Sequence, residues 1–398
     1  MKKILIFIFA FLSSCSSNND YLPGFSSIIP DFIEDYFAED DKPYNDLPNL
    51  TERVIVKTIW KKKFSGEIED KYSFLNLSIQ SNNIFIPTTE KKVHIINSET
   101  GDLNKTIELN LDIFSGVSTD NNLFYFGSKQ DTVTAVKYSD MKILWQRVMS
   151  SEVMSISNVV NEAIYVRTND SKITAIDINT GKFLWINSQI PTELSIRGSS
   201  KPLAEDEKVY VGFEDGKIIC FEAVTGDVLW TIQLESPKKE TIIDRLNDID
   251  GKMILSNGVL YAISYQGSIA AIDSYSGQIL WTKQASSIYG LAENKYNIFY
   301  INDDGIIKCL DKSTGREVWS QDQFYKRVYG TPIYYNDYII AQDVENYLHV
   351  LDSSDGSIVG RLKIKYPIQS SYIEYGYLYL LDKDFMLKKY EISSIINE

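Results

Sequence analysis

Few residues in this 398-residue chain combine a reactive side chain with a suggestive position, and Cys15 is the clearest of them. Its thiol follows a run of nine apolar residues, 4–12, which begins after Lys2 and Lys3. As a helix, such a run spans about 14 Å, roughly half of the hydrocarbon core of a bilayer. The run therefore predicts a secretory signal peptide and not a membrane-spanning helix. A cysteine three residues after the end of this run is available for acylation once the peptide is removed.

The residues around the predicted cleavage point support this interpretation. Residues 12–15, Leu-Ser-Ser-Cys, resemble the bacterial lipobox, in which the cysteine takes a diacylglycerol and becomes the new N-terminus. Ser16 follows instead of aspartate, which in enterobacterial sorting is typical of lipoproteins of the outer membrane. The alternative is that Cys15 falls by chance behind an ordinary signal peptide. We predict a signal peptide over residues 1–14 and a lipid at Cys15 as the chain's contact with the membrane.

The remaining cysteines and the histidines do not predict a metal or redox site. A structural zinc site needs about four ligands, and the chain has three cysteines and two histidines in all. Cys220 and Cys309 occupy equivalent positions of a repeat, too far apart for a disulfide, so we expect buried free thiols. His94 and His349 also share one repeat position, which elsewhere accepts Ala, Ile and Lys. We therefore expect structural or surface roles for both histidines.

No motif for catalysis or cofactor binding is present. The chain lacks a Gly-x-Gly-x-x-Gly sequence, a P-loop and a Gly-x-Ser-x-Gly sequence. The segment 248–251, Asp-Ile-Asp-Gly, resembles a calcium loop, but aligning its glycine puts Leu246 and Asn257 at the first and last ligand positions. A net charge of −14 argues against nucleic acid as a partner, because an acidic surface repels phosphates. We predict no catalytic residue, no metal and no cofactor.

Composition divides the rest of the chain into two parts. Residues 15–52 are rich in Ser, Asn, Pro and acidic residues, a composition that cannot bury enough apolar surface to fold alone. We predict a flexible, acidic, lipidated tether over this range. Its short aromatic stretches, at 32–33 and 36–37, leave open a helical turn that docks on a partner. Residues 53–398 have the composition of a folded domain rich in strand-forming residues.

The folded part is built from a repeat marked by a glycine after Thr, Ser or Asp. With one methionine in the same slot, successive markers lie 38 to 51 residues apart, close to the period of four-stranded propeller blades. The markers are Gly101, Met141, Gly181, Gly226, Gly277, Gly315 and Gly356. Four residues after most markers stand Trp145, Trp185, Trp230, Trp281 and Trp319, with Lys105 and Gly360 as exceptions.

The two ends of this domain complete one further unit. Residues 54–60 offer a Trp-bearing strand with no partner before it, and residues 387–391 match the strand that precedes such a Trp strand. Pairing them makes eight units of about 43 residues each. We predict an all-β, eight-bladed β-propeller over residues 53–398, closed by the N-terminal strand in the last blade. Closure removes the exposed strand edge that an open stack of blades would present.

The repeat resembles the tryptophan-docking motif of the quinoprotein propellers. That motif, Ala-x-Asp-x-x-x-Gly-x-x-x-Trp, is complete at residues 175–185 and 271–281. The resemblance implies that each Trp packs between neighbouring blades. Quinone-dependent dehydrogenases of this kind commonly carry two adjacent cysteines and a calcium ion, whereas this chain has no adjacent cysteines. The motif therefore indicates blade packing and not enzyme activity.

Two segments that break the repeat resemble a more specific family. The insertions at 191–200 and 239–251, together with residues 265–273, are similar to segments of the BamB family. Members of that family are propeller lipoproteins of the outer-membrane β-barrel assembly machinery. The resemblance spans essentially all of residues 53–398. The long acidic tether and Met141 depart from the usual pattern of the family.

The resemblance to the BamB family implies a non-catalytic scaffold in the periplasm, held to the outer membrane by its lipid. It also implies binding to the periplasmic POTRA domains of the central barrel-inserting subunit, with outer-membrane proteins as clients. Family contacts carry over to five residues of the two insertions, Leu194, Ile196, Arg197, Asp248 and Asp250.

Two alternatives remain open from the sequence. In the first, Arg197 pairs with Asp248 and Asp250 and holds the two loops together, with or without contact to a partner. In the second, the propeller binds a soluble ligand such as a polysaccharide or a quinone in its central channel, as a PQQ-dependent dehydrogenase would.

Overall fold

The computed structural model describes residues 44–68, 74–120, 122–191, 200–234 and 248–395. Within these ranges the chain forms 32 β-strands, arranged in eight four-stranded sheets. Neighbouring strands in every sheet are antiparallel, and each sheet is one blade of the predicted eight-bladed, all-β propeller. In the same ranges, no helix is long and apolar enough to cross a membrane.

Blades 1 to 4 each run from a short innermost strand to an outer strand at the rim. Blade 1 comprises β2 (Ser78–Gln80), β3 (Asn83–Thr88), β4 (Lys92–Asn97) and β5 (Leu103–Glu108). Blade 2 comprises β6 (Ser118–Thr119), β7 (Leu123–Gly127), β8 (Thr132–Lys137) and β9 (Ile143–Val148). Blade 3 comprises β10 (Val153–Ile156), β11 (Ala163–Thr168), β12 (Lys172–Asp177) and β13 (Phe183–Ser188). Blade 4 comprises β14 (Leu203–Glu205), β15 (Lys208–Gly212), β16 (Lys217–Glu222) and β17 (Val228–Gln233).

Blades 5 to 7 repeat this order, and blade 8 takes its outer strand from the N-terminal part of the domain. Blade 5 comprises β18 (Ile254–Ser256), β19 (Val259–Ile263), β20 (Gly267–Asp273) and β21 (Ile279–Ala285). Blade 6 comprises β22 (Ala292–Glu293), β23 (Asn297–Ile301), β24 (Ile307–Asp311) and β25 (Glu317–Gln321). Blade 7 comprises β26 (Val328–Tyr335), β27 (Tyr338–Asp343), β28 (Tyr347–Asp352) and β29 (Ile358–Lys363). Blade 8 comprises β30 (Ile368–Glu374), β31 (Tyr377–Asp382), β32 (Met386–Ser394) and β1 (Val54–Lys63).

The connections between strands fall on two faces, because the strands of a blade alternate in direction. The turn face carries the turns with the repeat glycine, between the third and fourth strands of a blade. The insertion face carries the loops between second and third strands and the connections from one blade to the next. Both predicted insertions lie in connections from one blade to the next, at residues 189–202 and 234–253. Their ends therefore belong to the insertion face.

Each repeat tryptophan packs on the turn glycine of the next blade. At Gly226, φ is +75° and a Cβ atom would lie 2.4 Å from Cδ2 of Trp185, so only glycine fits. The indole N–H of Trp185 donates to the carbonyl of Ala223, three residues before this glycine, at 2.9 Å. The same bond is made at 2.7 to 3.2 Å by Trp145 to Ile178, Trp230 to Ser274, Trp281 to Lys312 and Trp319 to Ser353. This geometry confirms the predicted tryptophan docking.

The contact between blades 1 and 2 lacks both motif residues and is held by other means. Met141 takes the glycine slot with φ of 58°. Lys105 takes the tryptophan slot, and its ammonium group donates to the carbonyls of Tyr138 and Ser139 at 2.7 and 3.0 Å. The same ammonium group lies 4.4 Å from the centre of the Tyr138 ring. A lysine therefore replaces both the hydrogen bond and part of the ring packing of a tryptophan.

Replacing Gly226 by alanine is expected to lower the free energy of unfolding by about 2 to 4 kcal/mol, because strain at positive φ adds to a clash with Trp185. Gly258 is a matched control with φ of +77°, and a Cβ atom there would have nothing within 4 Å. Its replacement by alanine should cost only the backbone strain, about 1 kcal/mol. Chemical denaturation of both variants measures the difference. Equal losses would show that tryptophan docking contributes nothing at this position.

The N-terminal strand closes the ring as predicted. β1 pairs with β32 along its whole length, with one irregularity between Thr58 and Trp60. Trp60 packs on Gly101 of blade 1, where a Cβ atom would lie 3.0 Å from the indole ring. Val54 is 4% exposed and belongs to the apolar cluster between blades 7 and 8.

Residues 44–53 contact blade 7 before β1 begins. The backbone N–H of Asn45 donates to the carbonyl of Tyr325 at 3.2 Å, at the start of this blade. The backbone N–H of Arg53 donates to the carbonyl of Val359 in the outer strand at 2.8 Å. The segment therefore covers part of an edge that would otherwise lack a hydrogen-bonding partner.

The predicted N-terminal segments lie mostly outside the described residues. This holds for the signal peptide at 1–14, for Cys15 and for the tether as far as residue 43. The remainder of the predicted tether, residues 44–52, is the segment that contacts blade 7.

Candidate partner-binding site

The second insertion returns to the propeller at residues 248–250. The backbone N–H of Ile249 donates to the carbonyl of Phe213 at 3.3 Å, and the carbonyl of Asp248 accepts from the backbone N–H of Tyr265 at 3.0 Å. Phe213 directly follows β15 of blade 4, and Tyr265 lies just after β19 of blade 5. Two neighbouring blades therefore fix this segment at the insertion face.

The ends of the two insertions meet around Gly212. A Cβ atom on Gly212 would lie 2.6 Å from Cγ2 of Ile249 and 3.0 Å from Oγ of Ser200. Ser200 is the first described residue after the first insertion, and Ile249 lies at the end of the second. Any larger residue at position 212 would push the two ends apart. The absence of a side chain therefore lets loops from neighbouring blades converge on one place.

Arg167 is a buried residue that contacts Gly212, the point at which the ends of the two insertions meet. It lies in β11 of blade 3, is 1% exposed, and donates to the carbonyl of Gly212 and to the carboxylate of Glu214. Its guanidinium also lies 4.7 Å from the centre of the Phe213 ring. The hydroxyl of Ser171 donates to the other oxygen of Glu214 at 3.3 Å. A buried cation thus binds the β15–β16 loop of blade 4, which the end of the second insertion contacts through Ile249.

Sequence reasoning missed Arg167, although the repeat contains a signal for it. In blades 1 to 7, one residue of the second strand pairs with the position eight before the repeat marker, and in blade 8, which has no marker, the equivalent residue pairs with Leu387. These residues are Pro87, Gly127, Arg167, Gly212, Ile263, Ile301, Gln342 and Leu381. Arg167 is the only charged member, and a charge in a buried strand position needs a partner nearby. Comparing this column would have pointed to the insertion face of blade 3.

The two predicted aspartates differ in exposure. Asp248 is fully buried, whereas Asp250 is partly buried. The Oδ2 atom of Asp250 is shielded from solvent and accepts no hydrogen bond from the residues that the structure describes. Burial raises the pKa of Asp250 to about 7; the charge of Arg167 opposes this shift and the carboxylate of Glu214 adds to it. Burial therefore favours the protonated form of this carboxyl group more than in an exposed aspartate, and the protonated form can donate a hydrogen bond.

The other three predicted contact residues, Leu194, Ile196 and Arg197, lie outside the described residues. The structure describes the chain up to residue 191 and again from Ser200, whose carbonyl accepts from the hydroxyl of Ser155 at 3.4 Å. The end of this insertion is thus attached to blade 3, next to the segment that carries Asp248 and Asp250.

Side chains suited to redox or metal chemistry serve the packing of the blades. Cys220 and Cys309 are buried free thiols, as expected, and burial raises the pKa of each to about 12. His94 stacks on the ring of Phe64 with 4.9 Å between centroids, and His349 is fully buried. Across the described ranges, no three His, Cys, Asp or Glu side chains are placed to hold a metal ion.

A family model described as outer membrane protein assembly factor BamB matches residues 57–321 of this chain. The match covers more than half of the chain and contains both insertions. The chain belongs to the BamB family. BamB proteins are assembly factors and not enzymes, so the docking motif here serves blade packing.

Curated BamB proteins resemble the chain over most of its length. The outer membrane protein assembly factor BamB of Yersinia pestis is 27% identical over 337 residues, which cover 82% of this chain and 86% of that protein. The BamB protein of Pseudomonas aeruginosa is 29% identical over 327 residues, with the same coverage of 82% and 86%.

Solved structures share the fold. The crystal structure of BamB from Moraxella catarrhalis matches with a TM-score of 0.77 at 21% identity, covering 85% of this chain and 100% of that chain. A quinohemoprotein alcohol dehydrogenase from Comamonas testosteroni matches with a TM-score of 0.66 at 11% identity, covering 84% and 76%. At such low identity, the second likeness concerns the propeller architecture alone.

Proposed function

We propose that this chain is a non-catalytic scaffold lipoprotein of the outer-membrane β-barrel assembly complex. It binds the periplasmic POTRA domains of the central barrel-inserting subunit and so assists the folding and insertion of outer-membrane proteins. The observation that carries the proposal is the convergence of two insertions on one face of the propeller, in a chain of the BamB family. Insertions on one face of a repeat scaffold are where such proteins tend to bind.

A lipid at Cys15 would hold the scaffold at the periplasmic face of the outer membrane. The 29 residues from Cys15 to Pro43 can span at most about 100 Å. The described chain then begins at residue 44, on blade 7. This reach supports contact with domains that extend into the periplasm from a subunit embedded in the membrane.

The two aspartates contribute in different ways in this proposal. Asp248 is fully buried, so it holds the returning segment against blades 4 and 5 and does not itself reach a partner. Asp250 is partly exposed, so it supplies the polar contact through the part of the residue that solvent reaches. Arg167 already provides a positive charge beside Asp250. The pKa of Asp250 nevertheless stays above its ordinary value, so melting of an Arg197 variant distinguishes a clamp on Asp250 from a contact with the partner.

Replacing Arg197 by alanine is expected to weaken binding to purified POTRA domains by about 2 kcal/mol or more, as truncated interface arginines often do. The free energy of unfolding should change by no more than about 0.5 kcal/mol, because a single charge in a connecting loop contributes little to the stability of the propeller. Isothermal titration measures the binding, and thermal melting of the same variant measures the fold.

Lys142→Ala is the matched control, since it removes one exposed positive charge from the turn face. This control should bind POTRA domains as the parent does. A lowered melting temperature of Arg197→Ala would support the clamp between the loops. Normal binding and normal melting of Arg197→Ala would contradict the proposed interface.

A further inference from the structure

The closing strand β1 carries more positive charge than any other outer strand of the propeller. Its ten residues include Lys57, Lys61, Lys62 and Lys63. The whole chain has a net charge of −14, so this strand is a basic stripe on an acidic protein. We refer to Lys57, Lys61 and Lys62 as the lysine edge.

Within the described ranges, the fold makes little use of the charges of the lysine edge, although Lys57 lies opposite Glu391 on β32, where opposite charges attract across the strands. Lys63 pairs with Asp384 at 2.6 Å, but the lysine edge forms no salt bridge with any residue in the described ranges. Lys61 lies directly opposite Lys388 on β32. Like charges in this position destabilise a strand pair. The fold therefore tolerates a repulsion that it could have avoided with neutral residues.

Basic side chains on the other outer strands all have partners within the described part of the chain. Lys105 and Arg147 donate to backbone carbonyls of the next blade, and Lys283 pairs with Glu317 at 3.5 Å. On β29, Arg361 donates to Pro48 and Lys363 to Glu345, in both cases to the carbonyl oxygen.

Protection of an exposed strand edge does not account for the lysine edge. Lysines commonly blunt such edges against pairing with another chain. The outer strands β13, β17 and β25 have the same exposure to the rim and carry no basic residue at all. A cluster of four lysines occurs on only one outer strand of the described propeller, the one that lies nearest in sequence to the N-terminal tether.

We propose that the lysine edge binds an anionic phospholipid surface. Lysine is a compact charge that suits phosphate groups without the planar geometry that favours arginine with carboxylates, and β1 contains no arginine. Each lysine close to an acidic lipid surface strengthens binding about fivefold. The negative charges elsewhere on the protein weaken this binding only slightly, because charges more than about 8 Å away are screened at physiological ionic strength.

The position of β1 in the chain favours a membrane over an acidic protein as the occupant. β1 begins ten residues after residue 44, where the described chain starts on the side of Cys15. If Cys15 is acylated, the lysine edge is a second, electrostatic contact with the same membrane, and two weak signals together give stable attachment. The inference itself does not require the lipid, and the experiment leaves it out.

The test uses the mature chain from residue 15 with Cys15→Ser, sedimented with lipid vesicles. Vesicles of phosphatidylcholine alone are compared with vesicles that contain about 30% phosphatidylglycerol. We expect binding to the acidic vesicles alone, weakening as salt is raised. The triple variant Lys57→Gln, Lys61→Gln, Lys62→Gln should bind at least about tenfold more weakly.

The control carries the same loss of charge elsewhere on the surface. Lys142, Lys182 and Lys295 are exposed lysines outside β1, and their triple replacement by Gln should leave vesicle binding unchanged. Equal weakening by both triple variants, or no binding of the parent to acidic vesicles, would overturn the proposal. The proposal would also be overturned if the lysine-edge variant still bound acidic vesicles but no longer retained an acidic periplasmic protein that the parent retains. Binding to POTRA domains should be normal in the lysine-edge variant, which separates this inference from the proposed function.

Discussion

Deleting residues 53–62 from the mature chain is expected to prevent folding of the propeller. The deletion removes almost all of β1, so β32 becomes an exposed edge and blade 8 loses its outer strand. It also removes Val54 from the apolar cluster between blades 7 and 8, and Trp60 from its contact with Gly101. The truncated chain should aggregate or unfold without a cooperative transition, as measured by size-exclusion chromatography and circular dichroism.

A second deletion controls for the mere loss of chain length. Removing residues 16–42 takes away more residues but none of the contacts described for the propeller. This variant should keep the melting temperature of the parent. If the chain without residues 53–62 also stays monomeric and melts like the parent, closure by the N-terminal strand is not what holds the ring together.

The propeller itself could be predicted from the sequence because neighbouring blades pack through the same kind of contact. Trp185 and Gly226 are one example of a contact that recurs from blade to blade, so their spacing recurs as well. The closing strand was visible for the same reason, since Trp60 occupies the repeat position without a preceding partner. Even the exception at Met141 could be located in the sequence. That Lys105 takes over the hydrogen bond which a tryptophan makes to the next blade could not be predicted.

The candidate site could be predicted only in part. The insertions were recognisable as breaks in the repeat, but their convergence at Gly212 depends on the path of two loops in space. The burial of Asp248 follows from the blades on either side of it and has no pattern of its own in the sequence. The docking of residues 44–53 on blade 7 was equally invisible, because it joins parts of the chain that lie far apart and do not repeat.

Arg327 is the centre of a buried network that holds this docked segment. Its Nε donates to Oδ2 of Asp343 at 2.8 Å, and its Nη1 donates to the carbonyl of Asn45 at 3.0 Å. Nη2 donates to the carboxylate of Glu345 at 2.7 Å. The side chains of Arg327 and Asp343 are 1% and 0% exposed, and Nε2 of His349 lies 2.9 Å from the same oxygen of Asp343. One arginine therefore neutralises a buried carboxylate and attaches the N-terminal segment at once.

Replacing Arg327 by methionine is expected to lower the free energy of unfolding by about 3 to 5 kcal/mol, because it leaves Asp343 buried without its main counter-charge. Chemical denaturation measures this loss, and limited proteolysis should show cleavage near Asn45. Arg316→Met makes the same chemical change at an exposed position and should cost no more than about 0.5 kcal/mol. Adding Asp343→Asn to Arg327→Met should recover part of the loss, since no stranded charge then remains.

The pH dependence of the stability that Arg327→Met loses identifies the cause of this loss. Burial alone would raise the pKa of Asp343, but hydrogen bonds from His349 and from the backbone N–H of Tyr347, with the charge of Arg327, hold it below its ordinary value. In the parent, this carboxylate therefore adds stability above the ordinary pKa of an aspartate, about 3.9, which is lost as the pH falls through the lowered value. The difference between parent and variant should accordingly be largest at neutral pH and shrink on acidification, as Asp343 takes up a proton. A difference that stays constant over this range would mean that the arginine acts through its packing and its bond to Asn45, and not through the buried charge.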